Sequence, residues 1–211
     1  MQEICVTEKK FKYMNNIVFD LGGVVVNWNP DDISKMLPKG KMFRELLIEK
    51  GFFKKYWSEF DRGTIMQHNM ATKMCDILKN TYAECWDFME DIKHSLVNIP
   101  ETEALIHRLK DKGYNIYCLS NMSFEYYDYM KDRDVFTYFD DQVISAHEKL
   151  IKPEPEIYSF MLDKFSIKPE DTLFIDDLEA NIKAAEKFGI NVVHFDDKVR
   201  AYKEIKTLLL K

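Results

Sequence analysis

The 211-residue sequence predicts an α/β fold: a doubly wound, Rossmann-like parallel sheet carrying an inserted helical cap. Three observations predict it. Short β-branched runs recur after position 100, separated by helical patterns of ten or more residues, and such alternation implies parallel β-α-β units with right-handed crossovers. One similar run, Ile17-Val18-Phe19, stands alone near the N-terminus. Between them lies a long stretch with apolar residues at helical spacing and no strand signal of comparable strength. The chain therefore divides into a core, 1–28 and 97–211, and a cap, 29–96.

Ile17-Val18-Phe19 ends on Asp20 and the pair Gly22-Gly23, the pattern of a buried strand feeding a tight turn. From Pro30 to Ser95, apolar residues keep helical intervals (Met42, Leu46, Leu47; Met70, Met74, Ile77, Leu78; Trp86, Met89, Ile92), with breaks at Pro38-Lys39-Gly40 and Asp61-Arg62-Gly63. Phe52, Phe53, Tyr56, Trp57 and Phe60 read as cap core, and Trp28 stands at the first hinge into the cap. Glu101 to Lys112 is a helix with Leu105 and Leu109 inward, stopped by Gly113, and Tyr114 to Leu119 is a strand. A helix over Ser123 to Asp132 and a short strand, Gln142 to Ile144, follow. Pro153, at a first-turn position, opens a helix through Phe165. Thr172 to Ile175 is a strand, Glu179 to Phe188 a helix stopped by Gly189, Asn191 to Phe195 a strand, and the tail from Lys198 a helix.

Composition narrows the function. With 46% hydrophobic and 31% charged residues the chain can bury a substantial core, which excludes disordered, collagen-like and disulfide-dense classes. A net charge of −6 and the absence of any basic block argue against nucleic acid as the main partner. Cys5, Cys75, Cys85 and Cys118 form no C-x-x-C pair, which fits a reducing compartment. Met1 to Asn16 has no apolar stretch of signal-peptide length and no window resembles a membrane span, so a cytoplasmic location without a membrane partner is expected.

In an open parallel sheet, ligands sit beyond the carboxyl ends of the strands. Asp20 follows the first strand, Ser120 and Asn121 the second, Lys152 comes shortly after the third, and Asp176 and Asp177 follow the fourth. Three carboxylates, a lysine and a hydroxyl on one edge suit a hard cation and a phosphate.

FDLGGVVVNW, CLSNMS, IKPEPEIY and FIDDLEAN, in this order, resemble the four signature motifs of the haloacid dehalogenase (HAD) superfamily of hydrolases, over residues from about 17 to 195. The helical insert resembles that superfamily's type 1 cap, and the Asp-Leu-Gly-Gly opening resembles the branch with glucose-1-phosphate phosphatase and the phosphatase domain of soluble epoxide hydrolase. The resemblance implies a hydrolase acting on a small phosphorylated metabolite, with Asp20 as nucleophile forming an aspartyl-phosphate. It implies Mg²⁺ held by Asp20, the Gly22 carbonyl and Asp177, with Asp176 in the inner or second shell. Ser120 would hydrogen-bond a phosphoryl oxygen, with Asn121 beside it at the substrate. Lys152 would offset charge on phosphate and nucleophile, and Asn181 would support the lysine or the metal ligands.

The family's second aspartate, two residues after the nucleophile, acts as general acid and then base; here that position is Gly22. Three readings follow: substrates with good leaving groups, an acid supplied by the cap, or lost turnover; the first two together are favoured. The family's glycine three residues before the lysine is Lys149 here. Lys152 is preferred because it directly precedes Pro153, with Lys149 as fallback. Arg62, in the cap break, is a candidate for reading the substrate's non-phosphate part. His68, His94, His107, His147 and His194 share no metal-ligand spacing and are read as structural. The rivals are a 2-haloacid dehalogenase, against which the Asp176-Asp177 pair argues, and a phosphate-binding module without turnover.

Overall fold

A computed structural model describes residues 14–29, 33, 35, 41, 44–46 and 51–210. Cys5, Pro30, the Pro38-Lys39-Gly40 break, Met42 and Leu47 lie outside the described residues. The strands are β1 (Asn16–Phe19), β2 (Asn115–Ser120), β3 (Asp141–Ile144), β4 (Thr172–Asp176) and β5 (Asn191–His194). They form one parallel sheet in the order β3-β2-β1-β4-β5. Among the described residues the helices are α1 (Ser58–Asp61), α2 (Gln67–Leu78), α3 (Tyr82–His94), α4 (Pro100–Asp111), α5 (Phe124–Met130), α6 (Ser145–Glu148), α7 (Pro155–Phe165), α8 (Glu179–Glu186) and α9 (Lys198–Leu209).

The central strand explains why the sheet is covered on both sides. Ile17, Val18 and Phe19 are all fully buried, and because successive side chains point to opposite faces they feed two apolar layers. Ile17 and Phe19 join Leu105, Leu109, Ala201 and Ile205 from α4 and α9. Val18 joins Ile157, Met161, Ile182 and Ala185 from α7 and α8. Each such buried aliphatic or aromatic side chain contributes roughly 1.5–3 kcal/mol. The predicted doubly wound α/β architecture is the one observed.

Two boundaries move for identifiable reasons. α7 opens at Pro155 rather than at Pro153, which follows a cis bond from Lys152 and stays in the loop. A residue before proline is pushed out of the helical region, and Glu154 accordingly sits at φ −63°, ψ 138°. β2 starts at Asn115 rather than Tyr114, because the Tyr114 N–H donates to Leu109 O and closes α4 beyond Gly113, at φ +84°. The one-turn helix α6, ending at Lys149 with φ +60°, has no counterpart in the sequence pattern.

The insert leaves the sheet beyond Val26 and returns at Asn98, where the two strands of chain form an antiparallel bridge; Asn27 N donates to Val97 O and Ile99 N to Val25 O, both at 2.8 Å. Within it α2 and α3 pack their apolar faces together through Met70, Met74, Phe88, Met89 and Ile92. Thr81 and Glu84 cap α3 reciprocally. A π-helical turn, Phe53–Trp57, leads into α1. Its aromatic residues stack toward the core: Trp57 on Phe53 at 4.5 Å and on Trp28 at 5.3 Å, with Phe60 edge-on to Tyr126 at 5.3 Å. Among the described residues no helix is long and apolar enough to cross a membrane.

Candidate active site

The strand order reverses at β1, with β2 and β3 to one side and β4 and β5 to the other, so the crevice for a ligand opens beyond the ends of β1 and its neighbours. Register brings the polar residues together there. Phe19 lies opposite Ile175 on β4 and Cys118 on β2. Asp20 is therefore level with Asp176, and its N–H donates to Ile175 O at 2.9 Å. The chain then turns sharply through Gly22 and Gly23, with Gly23 N donating to Val26 O at 2.8 Å. Gly23 has φ +75°, and a Cβ there would overlap the Asp177 carboxylate, so this carboxylate lies directly against the loop backbone.

Lys152, 3% exposed, is the charge at the centre of the site. Its ammonium pairs with Asp20 Oδ1 at 2.9 Å and Asp176 Oδ2 at 2.6 Å and donates to Leu119 O at 2.9 Å, which engages all three of its protons. Burial works against its charge, but Asp176 and Asp20 outweigh that and raise its pKa. Lys149, the alternative, points elsewhere: its ammonium donates to Gly63 O at 2.5 Å and lies over the Phe124 ring.

The carboxylates are crowded. Burial pushes Asp20 up to about 6, with Lys152 pulling it back and Asp176 pushing it further. Burial, then Asp20 and Asp176, raise Asp177 to about 7. Oxygens of Asp20, Asp176 and Asp177 all lie within 4.8 Å of one another, and a single ammonium cannot balance three carboxylates. An all-oxygen cluster of this charge fits a hard divalent cation such as Mg²⁺. The Ser120 hydroxyl, fully buried at the end of β2, has no partner with hydrogen-bond geometry, yet lies near enough to Asp20 to lower its pKa. It is a hydroxyl beside Asp20 able to donate to a ligand.

Two asparagines serve the lysine and the aspartate. Asn121 was expected at the substrate, but it spends its amide on the Lys152 backbone, accepting from N at 2.8 Å and donating to O at 2.9 Å. Asn181 Nδ2 donates to both Asp176 oxygens at 3.0 Å, and Leu178 N donates to Asp176 Oδ1 at 2.8 Å. With Lys152 these bonds occupy both oxygens of Asp176. Arg62, the other expected substrate reader, forms a two-pronged pair with Glu154 at 2.8 and 2.5 Å and donates to Lys149 O at 3.2 Å. It ties the insert to the core. His194, read as structural, holds the Asp177 carbonyl at 3.0 Å.

The residue the sequence reading missed is Arg62's neighbour. Asp61 lines a cleft of about 200 Å³ together with Asp20, Lys152 and Asp177, under walls from Trp28 and Trp57. Its carboxyl receives no hydrogen bond from the described residues, and burial, reinforced by Asp20, holds its pKa well above the usual range. A lone aspartate in a turn carries no signal of its own; the one available was that Gly22 left a carboxyl to be found elsewhere.

Comparison with known proteins agrees with the geometry. A family model for haloacid dehalogenase-like hydrolases matches residues 14–189. The D-ribitol-5-phosphate phosphatase of Bacteroides thetaiotaomicron is 23% identical, covering 93% of this chain and 98% of that one. Acyl-CoA dehydrogenase family member 10 of Mus musculus is 25% identical over 92% of this chain, which spans only 19% of its length. (S)-2-haloacid dehalogenase 1 of a Pseudomonas species is 30% identical over half of this chain and 47% of its own. A HAD family enzyme of Bacteroides thetaiotaomicron, solved with magnesium and inorganic phosphate, superposes with a TM-score of 0.69 at 25% identity, covering 86% of this chain and 93% of that one. With its motif residues gathered at one edge of the sheet and the family match spanning most of its length, the chain belongs to the haloacid dehalogenase-like hydrolases.

Proposed function

We propose that this hydrolase is a Mg²⁺-dependent phosphatase of small phosphomonoesters of the sugar-phosphate kind, working through an aspartyl-phosphate on Asp20. The observation that carries the reading is the buried ammonium of Lys152 between Asp20 and Asp176, beside a third carboxylate. That arrangement suits a dianionic substrate and a divalent cation together, whereas halide displacement from carbon has no use for a three-carboxylate cluster. The magnesium structure of a family relative supports the same reading.

In this mechanism Asp20 attacks phosphorus, its Oδ1 held in place by the Leu21 N–H at 2.7 Å and by Lys152. Ser120 donates to a phosphoryl oxygen, and Lys152 offsets charge on nucleophile and phosphate. Asn121 is a positioning residue that fixes the lysine loop, and Asn181 one that fixes Asp176. Asp20, Asp177 and the Gly22 carbonyl would hold Mg²⁺, with Asp176 behind them because both its oxygens are engaged. When bound, the cation withdraws charge from the phosphoryl group and aligns it with the nucleophile. The cap, 29–96, closes over the core, 1–28 and 97–211, and excludes water from the reacting atoms.

The test is inorganic phosphate release from a panel of sugar, nucleotide and acyl phosphates, with and without Mg²⁺, beside halide release from 2-chloropropionate. The proposal predicts Mg²⁺-dependent phosphate release abolished in Asp20→Asn. Halide release without phosphate release establishes the dehalogenase instead. Mg²⁺-dependent ligand binding with neither product establishes a binding module.

A further inference from the structure

We propose that Asp61, from the cap, donates the proton to the leaving oxygen that position 22 has no side chain to donate. The inference rests on the phosphatase reading and adds the identity of its acid and base.

Among the groups lining the cleft, Asp61 alone has a proton to give and no other task. Seven side chains lining it carry a carboxyl, amine, amide or phenol group: Asp20, Asp61, Asp177, Lys152, Asn121, Asn181 and Tyr126. Asp20 is the nucleophile and Asp177 belongs to the cation cluster. Lys152 has its three protons engaged. Asn121 is committed to the Lys152 backbone and Asn181 to the Asp176 carboxylate, and an amide is no acid. The Tyr126 hydroxyl donates to Met89 O at 2.9 Å, away from the cleft. Asp61 is left, and among the described residues nothing hydrogen-bonds its carboxyl. Trp28 packs against the space a side chain at 22 would enter, with its Cβ 3.4 Å from the Cβ position there.

Asp61 is also held in place, which a proton donor requires. Its carbonyl accepts from Ser145 Oγ at 2.5 Å, and the same hydroxyl accepts from Met122 N at 2.9 Å, next to Asn121. Arg62 clasps Glu154 and reaches Lys149 O, while Lys149 reaches back to Gly63 O. Gly63 lies so close that a Cβ would come within 2.9 Å of Ala146 O. Three consecutive cap residues are thus pinned to the loops that carry Asn121 and Lys152, and the free carboxyl of the first is the one group they deliver to the cleft.

The step balances. As Asp20 Oδ bonds to phosphorus and the P–O bond to the alcohol breaks, the Asp61 proton passes to the departing oxygen and the alcohol leaves neutral. Asp61, now a carboxylate, takes a proton from the water that attacks the aspartyl-phosphate. Phosphate leaves and both aspartates return to their starting forms.

The experiment compares wild type and Asp61→Asn with an alkyl phosphate, whose alcohol needs the proton, and p-nitrophenyl phosphate, whose phenolate does not. The expected result is a fall in kcat/KM of about 10²–10⁴-fold for the alkyl ester. For the aryl ester, kcat/KM is retained while kcat falls, and acid-quenched enzyme carries a phosphoryl group detectable by mass spectrometry. The Mg²⁺-induced rise in Tm is expected to be the same in both proteins. Equal losses on both esters, no loss on either, or a reduced Mg²⁺ response overturns the assignment and leaves the phosphatase standing. If wild type hydrolyses neither ester, the phosphatase reading fails and the role of Asp61 with it.

Discussion

The edge of the sheet and the cap turn build the same cleft by different means. At the edge, Asp20, Ser120 and Asp176 are placed by strand register: each ends a strand or follows one, and parallel pairing sets Asp20 level with Asp176 and Ser120 one residue further along β2. The turn Asp61-Arg62-Gly63 is held to the core by side-chain contacts, through Ser145, Lys149 and Glu154, beside the packing of Phe60 on Tyr126. Backbone ladders hold one half of the site and a handful of polar contacts the other, some of them partly exposed. The difference teaches that the carboxylate cluster is fixed by strand pairing, whereas Asp61 reaches the same cleft from a segment outside the sheet that is held to it by side-chain contacts.

The largest effect expected at the edge comes from Lys152. Truncation to Ala leaves Asp20 and Asp176 buried without their counter-charge, and loss of one partner of a buried pair costs about 3–5 kcal/mol. Urea unfolding measures it; a loss under 1 kcal/mol breaks the claim that the edge is held by this ammonium. Next is Gly23→Ala, where the left-handed backbone, at about 1–3 kcal/mol for a non-glycine residue, adds to the collision with Asp177. Weakened Mg²⁺ binding should accompany that loss, measured by calorimetry.

The edge also carries a pH signature. Asp20 and Asp177 have folded pKa values of about 6 and about 7, above the ordinary 3.8, so without metal the native state binds more protons than the unfolded chain between about pH 4 and 7. Stability of the metal-free protein from these groups thus falls as pH rises through that window. Mg²⁺ binding requires the deprotonated forms, so its stabilisation grows with pH and levels off above about 7, at up to about 1.4 kcal/mol per pH unit for each proton released. Thermal melts from pH 5 to 8, with and without Mg²⁺, check both trends.

The smallest stability effect belongs to the cap turn. Arg62 and Glu154 are partly exposed, and such pairs are worth about 0–1 kcal/mol. Arg62→Ala should barely move the unfolding midpoint yet lower kcat/KM, because it loosens the turn that carries Asp61. A large stability loss with unchanged kinetics would erase the distinction between the two regions.

That distinction also marks what could be read from the sequence. The strands were legible because β1 alternates between two apolar layers and short runs such as Thr172 to Ile175 are buried throughout. Asp20 and Asp176 are legible because a strand end is a position in the chain as well as in space, and Lys152 because it directly precedes Pro153. Asn121 and Asn181 were found, but the partner of Asn121 was not, since one loop meeting another leaves no local trace. Arg62 is expected at the substrate from its place in the turn, and its contacts to Glu154 and Lys149 O leave no trace in the local sequence. Asp61 carries no such signal because the charged residues it shares the cleft with, Asp20, Lys152 and Asp177, lie about forty residues or more away along the chain, and no periodicity spans that distance.

The most direct test of the central claim is peptide mapping of enzyme mixed with Mg²⁺ and a phosphomonoester and quenched in acid. The account predicts a phosphoryl group on the peptide containing Asp20, absent without Mg²⁺ and enriched in Asp61→Asn. Turnover at full rate with that peptide unmodified under all conditions, or a phosphoryl group on another residue, would contradict it.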